Sequence, residues 1–329
     1  MGSTTTPADP PVARFAPGDL DVLDALARRR DEGSKPNHRH DRLWMALVVE
    51  GGGMRGAYPG GMVRALEELG LRDSFDEIFG TSAGAYVAAA FATGQGVGAA
   101  TIYADDLSGT RFIDLRRAMA GRGPLMDFDY LINDVLANSK PLDFDVLADC
   151  DVPVRPIATA TASLRGHTLD GLVTPTLWRT ALRATACVPV LAGRPVRLHD
   201  QTWIDGAVSE PVAVRRAVAG GATHVLTLLS RTEDESAIPA GNPLSALIDR
   251  TRPRFGRALR QRRAQLTDTA SAFQNAEHPL RRRARLLAVR PLESCRVGPF
   301  TTDPDRLRHA ADTGSRAVHA AVVAAGRRG

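Results

Sequence analysis

The chain has 329 residues, 43% of them apolar, a formal charge of +5 and three cysteines. That size and apolar content exclude a disordered or fibrous chain and allow one large domain or two ordinary ones. Cys150, Cys187 and Cys295 lie far apart, without metal-ligand or redox spacing. They read as small buried hydrophobes in a reducing cytosol, and no metal site is expected.

Lys35 and Lys140 are the only lysines, so the basicity is arginine. Arginine and alanine abundance points to a GC-rich genome, and basic patches therefore carry less functional weight. The N-terminus lacks the basic and apolar regions of a signal peptide. Met1–Thr6 fits the short myristoylation pattern, but reads more simply as part of a solvated tail.

Residues 1–18 are rich in Thr, Pro and Asp and are expected to be unstructured. Leu20 to Arg30 has the apolar spacing of a short amphipathic helix, and Glu32 to Arg42 reads as a polar linker. From Leu43 to Val49 every residue is apolar, the mark of a strand buried on both faces of a parallel sheet. Gly51-Gly52-Gly53-Met54-Arg55-Gly56 follows, then a helix to Leu69, a strand from Phe75 to Phe79, and Gly80-Thr81-Ser82-Ala83-Gly84 opening a second helix. The uncharged run Gly80 to Ala104 has the length of a membrane span. Its Ala/Gly content, Gln95 and the serine motif favour a buried helix and turn instead.

Further on, Phe128 to Leu136, Leu177 to Ala186 and Pro211 to Ala219 have helical patterns. Val154 to Thr161, Val196 to Ile204 and Thr223 to Leu229 read as strands. Thr232 to Gly241 is a polar loop. Between Arg250 and Arg290 there are twelve arginines against Asp268 and Glu277. Phe255, Leu259, Leu266, Ala270 and Phe273 recur there at helical spacing, Leu286 to Val289 is a short strand candidate, and Leu307 to Ala325 is a terminal helix. The alternation predicts an α/β fold with a mostly parallel, doubly wound sheet.

The chemistry gathers at the two glycine-rich turns. Strand, glycine-flanked serine and helix are the context of a nucleophile elbow, with Ser82 lifted above the sheet and Gly80, Thr81, Ala83 and Gly84 keeping the turn tight. Gly51-x-Gly53-x-x-Gly56 has three readings: a dinucleotide cradle, an oxyanion hole or a structural turn. The dinucleotide reading lacks an acidic residue at the end of the second strand. In a parallel sheet both turns share one edge, so the amides of the Gly51–Arg55 loop would face Ser82.

Ser82 needs a base. His167, His199, His224, His278, His309 and His319 follow it, and none occupies a convincing strand-end loop. Asp205, ending a strand and followed by Gly206-Ala207, is the better candidate. As a dipeptide alone, Asp-Gly reads first as a turn.

The order GGGMRG, GTSAG and DGA resembles the patatin-like phospholipase family. Ala184 to Pro189 is similar to that family's small-residue segment. Arg111 to Leu115 and Lys140 to Asp143 are similar to its bacterial branch, which has an additional C-terminal segment. The resemblance covers about Leu43 to Leu229.

It implies a three-layer α/β/α fold and a serine lipid acyl hydrolase working by a Ser–Asp dyad. Ser82 would be the nucleophile and Asp205, buried and in contact with it, the proton acceptor. Gly51, Gly52, Gly53, Met54, Arg55 and Gly56 would form the oxyanion hole, with Arg55 holding the loop. No cofactor is implied, and the partner is a phospholipid or other acyl-ester lipid. A non-specific carboxylesterase and a lipid-binding or regulatory protein of the same fold with little turnover remain the alternatives.

The chain divides into a flexible tail with a short helix (1–42), a catalytic domain (43–230) and an Arg-rich, mainly helical extension packed on the core (231–329). Segment 250–290 reads either as contact with an anionic membrane surface or as a solvated helix face. The first would place a cytoplasmic protein peripherally at the inner face of the membrane. Its few aromatics disfavour nucleic acid.

Overall fold

The computed structural model describes residues 11–188, 191–236 and 253–327, with 236 and 253–255 described by backbone only. The tail before residue 11, Pro189, the Phe255 side chain and most of the loop after Ser236 lie outside the described residues.

The apolar run after Leu43 forms β1 (Met45–Val49), buried at every position. It is the centre of an eight-stranded mixed sheet. β2 (Glu77–Thr81) and β7 (His224–Leu228) flank β1 in parallel, and β3 (Val154–Ala160) and β8 (Arg285–Val289) extend the parallel part on either side. β4 (Gly166–Thr168), β5 (Val196–Leu198) and β6 (Gln201–Asp205) add antiparallel pairings beyond β3. The stretch expected as one strand from Val196 to Ile204 is therefore a hairpin. It turns at His199, whose φ of 52° is a conformation the apolar pattern does not reveal.

Helices cover both faces. α1 (Val12–Phe15) and α2 (Asp21–Asp31) open the chain, and α3 (Ala57–Glu68), α4 (Ala83–Ala92) and α5 (Gly96–Asp105) follow the glycine-rich turns. α4 and α5 account for the uncharged run, and among the described residues no helix is long and apolar enough to cross a membrane. α6 (Leu115–Met119) and α7 (Phe144–Ala148) flank a π-helical segment, Tyr130–Ser139, where the sequence suggested an ordinary helix. α8 (Pro175–Ala186) starts on a Thr174 cap with proline in its first turn. α9 (Val214–Ala219), α10 (Pro253–Gln274) and α11 (Pro304–Gly326) complete the set.

Residues 11–42 do not form the flexible tail and linker expected of them. Asp19 N–H donates to Leu286 O at 2.8 Å and Ala288 N–H to Pro17 O at 3.0 Å, so this segment lines the outer edge of β8. Arg29, 1% exposed, donates to Asp41 and Asp76 and to the carbonyls of Ser74 and Leu43. A buried guanidinium needs such partners, and they tie the segment to the loop before β2. At the other end of the chain, β8 enters the sheet itself and α11 packs on α3, so the C-terminal extension shares the core.

Candidate active site

The register brings the turns together. Val49 lies opposite both Gly80 and Leu228, so the chain leaves β1, β2 and β7 at one level of the sheet. Thr81 is opposite Ile157, and the next residue of β3, Ala158, is opposite Asp205. β3 outruns β2, and β6 returns antiparallel along the overhang. Asp205 thus arrives at this edge from a strand running against the others, not from one more parallel strand.

Ser82 sits between β2 and α4 with φ 55° and ψ −127°. The flanking glycines are sterically required: a Cβ on Gly80 would lie 2.5 Å from Ala85 Cα, and one on Gly84 2.4 Å from Val49 O. The Ser82 hydroxyl donates to Asp205 Oδ2 at 2.7 Å. Its backbone N–H donates to Thr185 Oγ1 at 3.0 Å, and that hydroxyl in turn donates to Ile157 O. Thr81 is anchored by its hydroxyl to Glu210 O at 3.1 Å, and Ala83 begins α4.

Asp205 is 2% exposed. Its Oδ1 accepts from Ala207 N–H at 2.7 Å, its own N–H donates to Cys187 O at 2.9 Å, and its carbonyl accepts from Thr159 Oγ1 at 2.9 Å. Gly206 has no room for a side chain, since a Cβ there would lie 2.1 Å from Ile157 O. Burial pushes the Asp205 carboxyl up to about 6, against the opposing effects of the Ser82 and Ala207 hydrogen bonds and the charge of Arg262.

The glycine loop lies alongside. A Cβ on Gly51 would come within 2.9 Å of Ser82 Cβ, and Gly53 (φ 60°) packs on the carbonyl of Pro299. Met54 N–H donates to that carbonyl at 3.2 Å and Arg55 N–H to Gly52 O at 3.3 Å. Gly56 packs against the Tyr103 ring at the start of α3. The Gly52 and Gly53 amides have no hydrogen-bond partner among the described residues and line the same cavity as Ser82. Arg55 folds back over Gly52, and burial holds its guanidinium below the usual arginine range, helped by the charge of Arg231. Behind the loop, buried Glu50 accepts from Ser230 N–H at 2.7 Å and Ser230 Oγ at 2.9 Å.

The cavity holds about 370 Å³ and is mostly apolar, walled by residues such as Tyr86, Phe112, Met126, Leu131 and Leu136. No histidine lines it. No cluster of potential metal ligands occurs among the described residues. A hydroxyl bonded to a carboxylate, unpartnered amides and an apolar chamber together suit acyl transfer from a hydrophobic ester.

A patatin-like phospholipase family model matches residues 47–218, just over half of the chain, and spans all three motifs. The chain belongs to the patatin-like phospholipase family. This is a family of lipid acyl hydrolases. The chain is also 28% identical over 185 residues to the uncharacterized protein YjjU of Escherichia coli. That match covers 56% of this chain and 51% of YjjU, about half the length of the curated relative.

Among solved structures it is similar to VipD from Legionella pneumophila, with a TM-score of 0.43 and 13% identity over 86% of this chain and 67% of that one. It is also similar to human GIVD cytosolic phospholipase A2 in complex with methyl gamma-linolenyl fluorophosphonate. There the TM-score is 0.45 with 12% identity, over 94% of this chain and 63% of that one.

The family span ends before β7, so the patatin-like match includes neither the Glu50 partner Ser230 nor α10. Sequence reasoning missed three residues around the site. Thr185 lies inside the small-residue segment, which was its one visible signal. Thr159 carries no motif, and Arg262, which lines the cavity, is hidden in an arginine-rich run.

Proposed function

We propose that this patatin-like protein is a serine lipid acyl hydrolase working by a Ser82–Asp205 dyad. The observation that carries this reading is the 2.7 Å hydrogen bond from Ser82 Oγ to a buried carboxylate at an apolar cavity. Ser82 Oγ attacks the acyl carbonyl, and its proton passes to Asp205 Oδ2. The oxyanion is stabilised by amides of the Gly51–Gly56 loop, of which Gly52 and Gly53 are the unpartnered ones.

Asp205 then returns the proton to the leaving alcohol, leaving an acyl-enzyme. A water, deprotonated by the same carboxylate, releases the fatty acid and restores Ser82. An Asp held near 6 by burial is a stronger base than an exposed one, which lets it serve without histidine. The nucleophile elbow, the strained turn at Ser82, keeps the hydroxyl clear of the helix behind it.

A fluorophosphonate probe tests the assignment. The wild type should be labelled on Ser82 and Ser82→Ala should not; unchanged labelling of Ser82→Ala would remove the nucleophile assignment. Hydrolysis of long-chain phospholipid over short-chain esters supports the lipid hydrolase reading, and the reverse preference supports a general carboxylesterase. Vesicle binding without turnover of any ester would leave a lipid-binding protein of the same fold. We also infer peripheral contact with anionic lipid through the exposed part of segment 250–290, where Arg257, Arg282 and Arg283 face solvent.

A further inference from the structure

A serine ester hydrolase has use for a cation in its pocket when the substrate carries an anion. Arg262, on α10 and outside the family span, lines the same cavity as Ser82, Asp205 and the glycine loop. Its Nε is buried without a hydrogen-bond partner. The acids whose charge reaches it are Glu50 and Asp205, and both are engaged elsewhere. Glu50 accepts from Ser230 and pairs at 3.9 Å with Arg231, and Asp205 accepts from Ser82 and Ala207. A second guanidinium, Arg55, lines the same cavity and also has a buried, unpartnered Nε.

A partly buried guanidinium with an orphaned donor is costly to hold. Elsewhere in the same segment Arg257 and Arg282 reach solvent and Arg281 finds a carboxylate, Asp19. Resting on the hydrolase reading above, we propose that Arg262 is a specificity residue that selects acyl esters bearing a phosphate headgroup, by donating to a phosphate oxygen while the acyl chain occupies the apolar wall. Guanidinium matches phosphate geometry better than ammonium does, so lysine would replace it only in part.

The test compares the ratio of kcat/KM for a soluble single-chain lysophospholipid to that for the neutral p-nitrophenyl ester of the same acyl chain. Arg262→Gln should lower this ratio about ten- to a hundredfold, the loss of one charge-assisted contact, and Arg262→Lys should lower it less. An unchanged ratio in both variants, whether or not the two rates fall together, overturns the proposal. It would assign Arg262 to supporting Asp205 or the fold.

A second readout needs no ester turnover. Decyl phosphate should protect Ser82 from the fluorophosphonate probe in the wild type more than decanol does, and that difference should vanish in Arg262→Gln. Protection by inorganic phosphate alone, equal to that by decyl phosphate, would mean a free-phosphate site and would equally overturn the role in lipid selection. Absence of Ser82 labelling in the unprotected wild type strikes the hydrolase reading itself, so the two failures are told apart.

Discussion

Asp205 is a carboxyl whose pKa in the folded protein, about 6, lies above its ordinary 3.8 because burial penalises its charge. In the proposed mechanism its anion is the form that accepts the Ser82 proton, so kcat/KM should rise with pH and level off above about 6. A pH–rate profile flat between pH 4 and 7 would contradict this. For stability the sign is the reverse. The folded chain holds a proton that the unfolded chain has already lost, so stability falls as pH climbs from about 4 to about 6. The deficit above that window is bounded by about 3 kcal/mol. Asp205→Asn should therefore gain Tm relative to the wild type across this window, while hydrolysis drops about 10²- to 10⁴-fold.

In the proposed site Thr185 is a positioning residue. It accepts from the Ser82 amide and is fully buried. Thr185→Val leaves that amide unpaired and should cost about 1–3 kcal/mol in a thermal melt and slow fluorophosphonate labelling, whereas Thr185→Ser should restore both. The glycine-bearing turns that hold Ser82 and Asp205 were legible in the sequence because tight turns restrict residue type locally. Thr185 was not, because its partner lies about a hundred residues away and one hydroxyl among small residues makes no pattern.

Among the elements, α3 and α11 cross closely through their glycines. A Cβ on Gly61 would stand 1.7 Å from Ala311 O, and one on Gly314 2.1 Å from Tyr58 O. In an isolated helix, alanine for glycine gains about 1 kcal/mol. Here the clash is with backbone, which cannot rotate aside, and overpacking typically costs about 1–3 kcal/mol or more. Gly314→Ala should accordingly lower Tm, and a higher Tm would show that α11 can slide. β1 was readable because burial on both faces leaves it no polar position, and β2, β3 and β7 because their buried stretches are rich in apolar and β-branched residues. β4, three residues long and half exposed, carries too little pattern, and the β5–β6 hairpin hides inside an apparent single strand. The Tyr130–Ser139 segment shows helical periodicity, but the π register depends on its packing and not on spacing.

At the scale of the molecule, the C-terminal extension supplies β8 to the sheet, α11 to the face of α3 and Arg262 to the cavity. The arginine run is thereby divided. Arg290 is 3% exposed and Arg281 pairs with Asp19, while Arg257, Arg260, Arg282, Arg283 and Arg285 are exposed. Membrane attraction through so few surface charges should be modest and screened by salt. In cosedimentation, the wild type should bind phosphatidylglycerol vesicles at low salt, release them as salt is raised, and ignore phosphatidylcholine vesicles. Replacing Arg257, Arg282 and Arg283 with glutamate should abolish binding; equal binding to both vesicle types would sink the electrostatic account.

The sequence by itself determined the parallel core and the order of the three motifs, and it pointed to an aspartate over a histidine as the proposed base. These follow from residue patterns within a few positions of each other and from the family resemblance they carry. Only the tertiary structure decided that Asp205 comes in on an antiparallel strand and that an arginine from α10, its Nε unpartnered, lines the cavity of Ser82. Burial and charge at a point are summed over residues far apart in the chain, and that sum exists only once the chain has folded.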